Sequence, residues 1–214
     1  MDLIDQIEKH RFLGSEALVW LWFESELNEG RLEVPGVGPA EVYLEGQLTL
    51  TFDKEQSKLK GQAPSASPEA REALRQGKLP TNAKLRVARG ELEYSFTFTA
   101  GTLALSAVKI PAIVKEKDDV DEQFYERMYL VEELEALFTA LYARFLALRL
   151  SPAWESEVVP AIRSWVHDKP VDLTAYQRVT AKVPALKGQK RPHSSPPASE
   201  RVERGAPVKL RAVG

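Results

Sequence analysis

Cysteine is absent from the 214 residues. That excludes disulfides and thiolate metal sites and fits a reducing compartment. Histidine occurs only as His10, His167 and His193, and no two stand at metal-ligand spacing. Long hydrophobic runs are missing too. The longest is Ala17 to Phe23, seven residues, where a membrane-spanning helix needs about 20. Met1 to His10 carries Asp2, Asp5 and Glu8 in place of the basic-then-apolar layout of a secretory leader. Neither sign of charge dominates, with a net −2. These absences predict a soluble, cytoplasmic protein with no membrane partner. What is present, 43% apolar and 28% charged residues, is an ordinary globular composition with enough material for a core.

The charge is unevenly placed. From Pro184 to Gly214 there are five prolines and no Phe, Trp or Tyr, so the segment has little to bury and reads as a disordered Pro/Ser-rich tail. Lys187, Lys190, Arg191, Arg201, Arg204, Lys209 and Arg211 stand there against Glu200 and Glu203. The tail is therefore +5 and the body, residues 1–183, is −7. The body reads as a single domain.

Within it, Leu3, Ile4 and Ile7 suggest a short amphipathic helix over 2–10. A second helix follows over 12–28, with Ala17, Leu18, Leu21 and Trp22 on one face. Trp20 and Phe23 lie off that stripe, so this helix is expected to be covered on more than one side. Alternation then predicts strands at 42–44, 48–52, 58–61, 84–88, 92–99 and 102–108. Ser67-Pro68 opens a helix that Gly77 ends. The short links Arg89-Gly90-Glu91 and Ala100-Gly101 require antiparallel neighbours. Phe124, Met128, Val131, Leu134, Phe138, Leu141, Phe145 and Leu148 recur at three- and four-residue intervals, predicting a helix over 119–149 that lays this stripe on the sheet. A last helix over 154–167 must break or kink at Pro160. The fold class is α+β: an antiparallel sheet of five to six strands packed against N-terminal and C-terminal helices.

Motifs for chemistry are sparse. There is no Gly-x-Ser-x-Gly elbow, and Val34-Pro35-Gly36-Val37-Gly38-Pro39 lacks the Lys-Ser/Thr ending of a phosphate loop, so it reads as a turn. Glu132, Glu133, Glu135 and the acids at 118–122 read as a solvated helix face and a charged helix start. No catalytic residue, metal ligand or cofactor is assigned. Trp20 and Trp22 are expected in the core. The candidate nucleic-acid surface is Lys58, Lys60, Lys84 and Arg86 on one polar sheet face, together with the seven tail cations. Glu41, Glu45, Glu91 and Glu93 compete for that face.

Phe12-Leu13-Gly14-Ser15-Glu16-Ala17-Leu18-Val19-Trp20-Leu21-Trp22-Phe23-Glu24-Ser25-Glu26 resembles a segment of RdgC-like recombination-associated proteins that runs F-L-G-R-E-F-L-x-W-L-W-F-x-S-E. Leu103 to Ser106 and Phe145 to Trp154 resemble the C-terminal region of the same proteins. Ser15 stands where that family has a basic residue and Ala17 where it has a bulky one. The family also carries a substantial portion ahead of this segment, which begins here at residue 12. The resemblance implies DNA binding without marked sequence preference, ring-shaped dimers, restraint of recombinase filaments and no catalysis. It carries over no individual site residue. Two other classes stay open: a partner-binding scaffold without a nucleic-acid role, and a small hydrolase with a site assembled from distant residues.

Overall fold

The computed structural model describes residues 12–112 and 120–181. The expected helix over 2–10 and the tail from 184 lie outside these residues. Helix α1 (Phe12–Leu27) buries Ala17, Leu18, Trp20, Leu21, Trp22 and Phe23. Apolar side chains on every side make it the centre of the domain, with other elements packed around it. Its start fits tightly. A Cβ on Gly14 would stand 2.0 Å from the Ala100 carbonyl oxygen, so only glycine lets the helix meet the turn after the fifth strand.

The strands are β1 (Arg31–Val34), β2 (Gly38–Phe52), β3 (Glu55–Gly61), β4 (Leu79–Arg89), β5 (Leu92–Thr99) and β6 (Ala104–Lys109). They form one antiparallel sheet in the order β1-β2-β4-β5-β6, with β3 also paired to β2. The antiparallel sheet matches the expected class, although the expected strands at 42–44 and 48–52 are one bulged strand, β2; β5 and β6 are antiparallel neighbours as their short link requires. Alternation divides the faces. Val42, Leu44, Leu48, Leu50, Ala83, Leu85, Val87, Tyr94, Phe96 and Phe98 are buried on the inner face, toward α1. Pro35 to Val37 form the β1–β2 turn, so the glycine- and proline-rich segment is a hairpin turn. β1 itself, only four residues long, is not apparent in the sequence.

Helix α2 (Pro68–Arg75) is capped as its sequence demands: Ser67 Oγ accepts from the Ala70 amide, with Pro68 in the first turn. Helix α3 (Val120–Arg149) corrects one expectation. Its buried residues are Leu130, Leu134, Leu137, Leu141, Phe145 and Leu148. Phe124, Met128 and Val131 do not lie on the sheet; they are 57%, 46% and 50% exposed. No residue from 120 to 129 is buried, leaving about 15 Å of helix ahead of the first core contact. The apolar period continues through this stretch, but no sheet lies beneath it. Phe138 is half-buried against Phe96 and Phe98 at ring distances of 5.9 and 5.1 Å.

The expected break at Pro160 falls just before it. A single π turn over Trp154–Val158 runs directly into α4 (Val159–Val166), with Pro160 at its second residue, so the change of helical pitch falls where the Pro160 amide is missing. A last helix, α5 (Leu173–Thr180), starts at an Asp172 cap that accepts from the Ala175 amide. The sequence reading contained no α5.

Candidate functional site

The register of β2, β3 and β4 decides where the proposed cations lie. Lys58 is paired with Thr49 and Lys60 with Gln47, both on the outer face of β2. Lys84 and Arg86 alternate with inward Ala83, Leu85 and Val87, so they share that outer face. Lys109 joins them from β6, opposite Ser95. The four sheet residues anticipated from sequence are thus brought to one face; the seven tail cations lie outside the described residues.

The face is divided by charge. Arg86 Nε donates to Glu45 Oε1 at 2.9 Å and its NH1 lies 3.3 Å from Glu93 Oε2, while its guanidinium covers the Tyr43 ring at 4.5 Å. Partial burial works against the Arg86 charge, but the hydrogen bonds and charges of Glu45 and Glu93 outweigh it and hold the pKa above the ordinary guanidinium value. Arg86 is therefore neutralised locally and adds little to an anion-binding surface. Glu93 lies toward the β4–β5 turn, while Glu45 stands in β2 opposite Lys84 and gives its carboxylate to Arg86. Lys58, Lys60 and Lys84, farther from that turn, make no ion pair among the described residues. Three unpaired ammonium groups over neighbouring strands form a small, locally positive patch on an acidic body.

The other charged groups build structure. Glu26, at the end of α1, accepts from the indoles of Trp22 (2.6 Å) and Trp165 (3.0 Å) and pairs with Arg71. Arg71 lies 4.0 Å over the Trp165 ring and donates to the Trp165 carbonyl at 2.6 Å, binding α2 to α4. Ser25 Oγ donates to the Val42 carbonyl, joining α1 to β2. Trp20 and Trp22 are 2% and 0% exposed, which leaves neither ring open for base stacking. Residues 20–25 of the segment are thus buried, and Glu26 at its end is engaged by two indoles and Arg71. His167 ends α4, and its neighbour Asp168 pairs with Arg71 and Arg75. Glu133 pairs with Arg89 at 2.6 Å. The described residues contain no group of three or more His, Cys, Asp or Glu arranged to hold a metal ion.

One polar assembly was not visible in the sequence. Glu24, 2% exposed, accepts from the Tyr176 hydroxyl at 2.5 Å and from Asn28 Nδ2 at 2.9 Å, with Arg144 NH2 3.8 Å away. Burial, then the Glu24 charge, raises the Tyr176 pKa far above the usual phenol range. This group lies at the floor of an open cleft of about 610 Å³, lined also by Arg31, Glu33, Glu41 and Gln177. Its parts come from α1, α3 and α5. The cleft mixes charges of both signs, and its Tyr176 hydroxyl is held by the Glu24 carboxylate.

No family model matches the chain, and no curated protein matches it. Among the described residues, no helix is long and apolar enough to cross a membrane.

Proposed function

We propose that the chain is an RdgC-like, recombination-associated protein that works without catalysis in the cytoplasm, binding double-stranded DNA through phosphate contacts and without sequence specificity. The observation that carries this reading is the unpaired trio Lys58, Lys60 and Lys84 on the outer sheet face. Lysines offer point charges, not the bidentate geometry that reads bases, so such a patch suits a uniform backbone. The seven tail cations supply further positive charge on the same chain. The resemblance of residues 12–26 and 145–154 favours the same role and brings with it a homodimer. A salt titration of duplex binding by the full chain tests it. Log affinity should fall linearly with log salt, equally for unrelated sequences, and the DNA should stay intact. Absence of binding at low salt would defeat it.

A second reading, a partner-binding scaffold, rests on α3. Val120, Phe124, Tyr125, Met128 and Tyr129 are 77%, 57%, 68%, 46% and 57% exposed along one unburied stretch. Contiguous exposed apolar surface of this kind marks interaction sites. A chain that ignores DNA at low salt would give this reading precedence.

A further inference from the structure

We propose that the bulge in β2 is a discrete phosphate-gripping point, made by Gly46, Lys84 and Lys60; this rests on reading the outer face as a nucleic-acid surface. Between the paired positions Leu44↔Leu85 and Leu48↔Ala83, three residues of β2 (Glu45, Gly46 and Gln47) face the single residue Lys84 of β4. Such an insertion bends the strand and redirects side chains, and bulges are frequent beside functional sites. Gly46 has φ +79°, in the left-handed region that glycine enters without cost. A Cβ built on it would lie 3.0 Å from Lys84 Cδ and 3.6 Å from Lys84 Nζ. The lysine chain therefore lies directly over the glycine, which brings its ammonium onto β2.

The strand on the other edge of β2 holds the second cation. Gly46 is paired with Gly61 and the next residue, Gln47, with Lys60. A Cβ on Gly61 would meet nothing within 4 Å. Gly61 thus leaves bare backbone beside Lys60, while the Lys84 chain covers Gly46 across the pairing. The nearest carboxylate on β2, Glu45, is engaged by Arg86. Arg86 hydrogen-bonds both Glu45 and Glu93, and neither Lys84 nor Lys60 makes an ion pair of its own among the described residues. Two ammonium groups on neighbouring strands, with the nearby carboxylates turned to Arg86, are an arrangement that an incoming anion completes. The ligand is a phosphate group, whether from a nucleic-acid backbone or free in solution.

Amine footprinting of the full chain tests this. Acylation rates of Lys60 and Lys84, relative to Lys169, are read by mass spectrometry for the protein alone, with a mixed-sequence duplex, and with inorganic phosphate at the same phosphate concentration. The duplex should slow both lysines severalfold and inorganic phosphate should not. Protection by inorganic phosphate with no binding of the duplex would keep the grip and overturn only the nucleic-acid reading. A duplex that binds by fluorescence anisotropy yet leaves both amines fully reactive would sink the grip and spare that reading. If the duplex does not bind and phosphate protects neither amine, both fall. The part played by Gly46 is read from Gly46→Asn, since asparagine tolerates positive φ but fills the space under Lys84. It should abolish protection of Lys84 while Lys58 keeps its own response. Lys84→Met, which preserves the bulge, should reduce the log–log salt slope by about 0.9, and the double variant should lose no more than that. Additive losses, or undiminished Lys84 protection in Gly46→Asn, would overturn the role of the glycine.

Discussion

At the scale of single residues, the acids of α1 show how burial assigns work that the sequence cannot announce. Glu24 and Tyr176 are 152 positions apart, yet they share a 2.5 Å hydrogen bond. No periodicity links them; only the folded packing of α5 on α1 does. The consequence is a specific pH dependence. Burial and Glu24 raise the Tyr176 pKa in the folded chain. Its contribution is thus complete below the unfolded phenol value near pH 10. It is lost as pH rises above that value, because the unfolded chain ionises first. Urea midpoints followed above pH 10 should therefore fall, with Tyr176 supplying up to about 1.4 kcal/mol per pH unit. Tyr176→Phe should flatten that decline and, at neutral pH, cost about 1–3 kcal/mol by removing a hydrogen bond to a buried carboxylate. An alkaline slope identical to that of the parent would reject the assignment. Glu26 makes a parallel case at neutral pH. Its removal in Glu26→Ala takes the acceptor from two indole N–H groups and leaves Arg71 with Asp168 and the Trp165 carbonyl, so a loss of about 1–3 kcal/mol is expected in chemical denaturation. A loss under 1 kcal/mol would show these contacts to be incidental.

At the scale of elements, most of the secondary structure was legible, because period two and period 3.6 report directly on faces. The strands of the meander, the Ser67-Pro68 start, the turn at 35–37 and the interruption before Pro160 all follow from local chemistry. The error in α3 is instructive. A stripe through Phe124, Met128 and Val131 has the same spacing as one through Leu134, Leu141 and Phe145, and spacing does not reveal where the underlying sheet ends. Burial separates them. Phe145 is 0% exposed and touches the Trp20, Tyr142 and Trp154 rings at 5.9, 5.7 and 5.6 Å. Phe145→Ala should cost about 3–5 kcal/mol. Half-buried Phe138→Ala should cost less, about 2–3 kcal/mol. Phe124→Ala should stay within about 0.5 kcal/mol of the parent, as surface changes do. Denaturation midpoints ordered otherwise would mean that the outer half of α3 is covered in solution, which would strengthen the partner-binding reading.

At the scale of the whole molecule, the decisive feature is the separation of charge between a body of −7 and a tail of +5. The site on the sheet was partly legible from this. The alternation of Lys58 with Lys60 and of Lys84 with Arg86 placed four cations on one face, but the sequence could not show that Arg86 is consumed by Glu45 and Glu93. Three local lysines on an acidic body give short-range attraction against long-range repulsion, so on their own they should bind a polyanion weakly. The tail reverses that balance. With about five of its cations on phosphates, it should contribute about −4.5 to the log–log salt slope of duplex binding, at roughly 0.9 per contact. Deleting residues 184–214 should remove most affinity and that share of the slope. It should leave the thermal midpoint unchanged, because a segment so poor in apolar side chains adds little to a core. The residual slope should come from the sheet face and should vanish in the combined Lys58→Gln, Lys60→Gln and Lys84→Gln variant. Should the 1–183 fragment bind as tightly as the full chain, the tail is not the main contact and the three lysines carry the affinity despite the charge of the body around them.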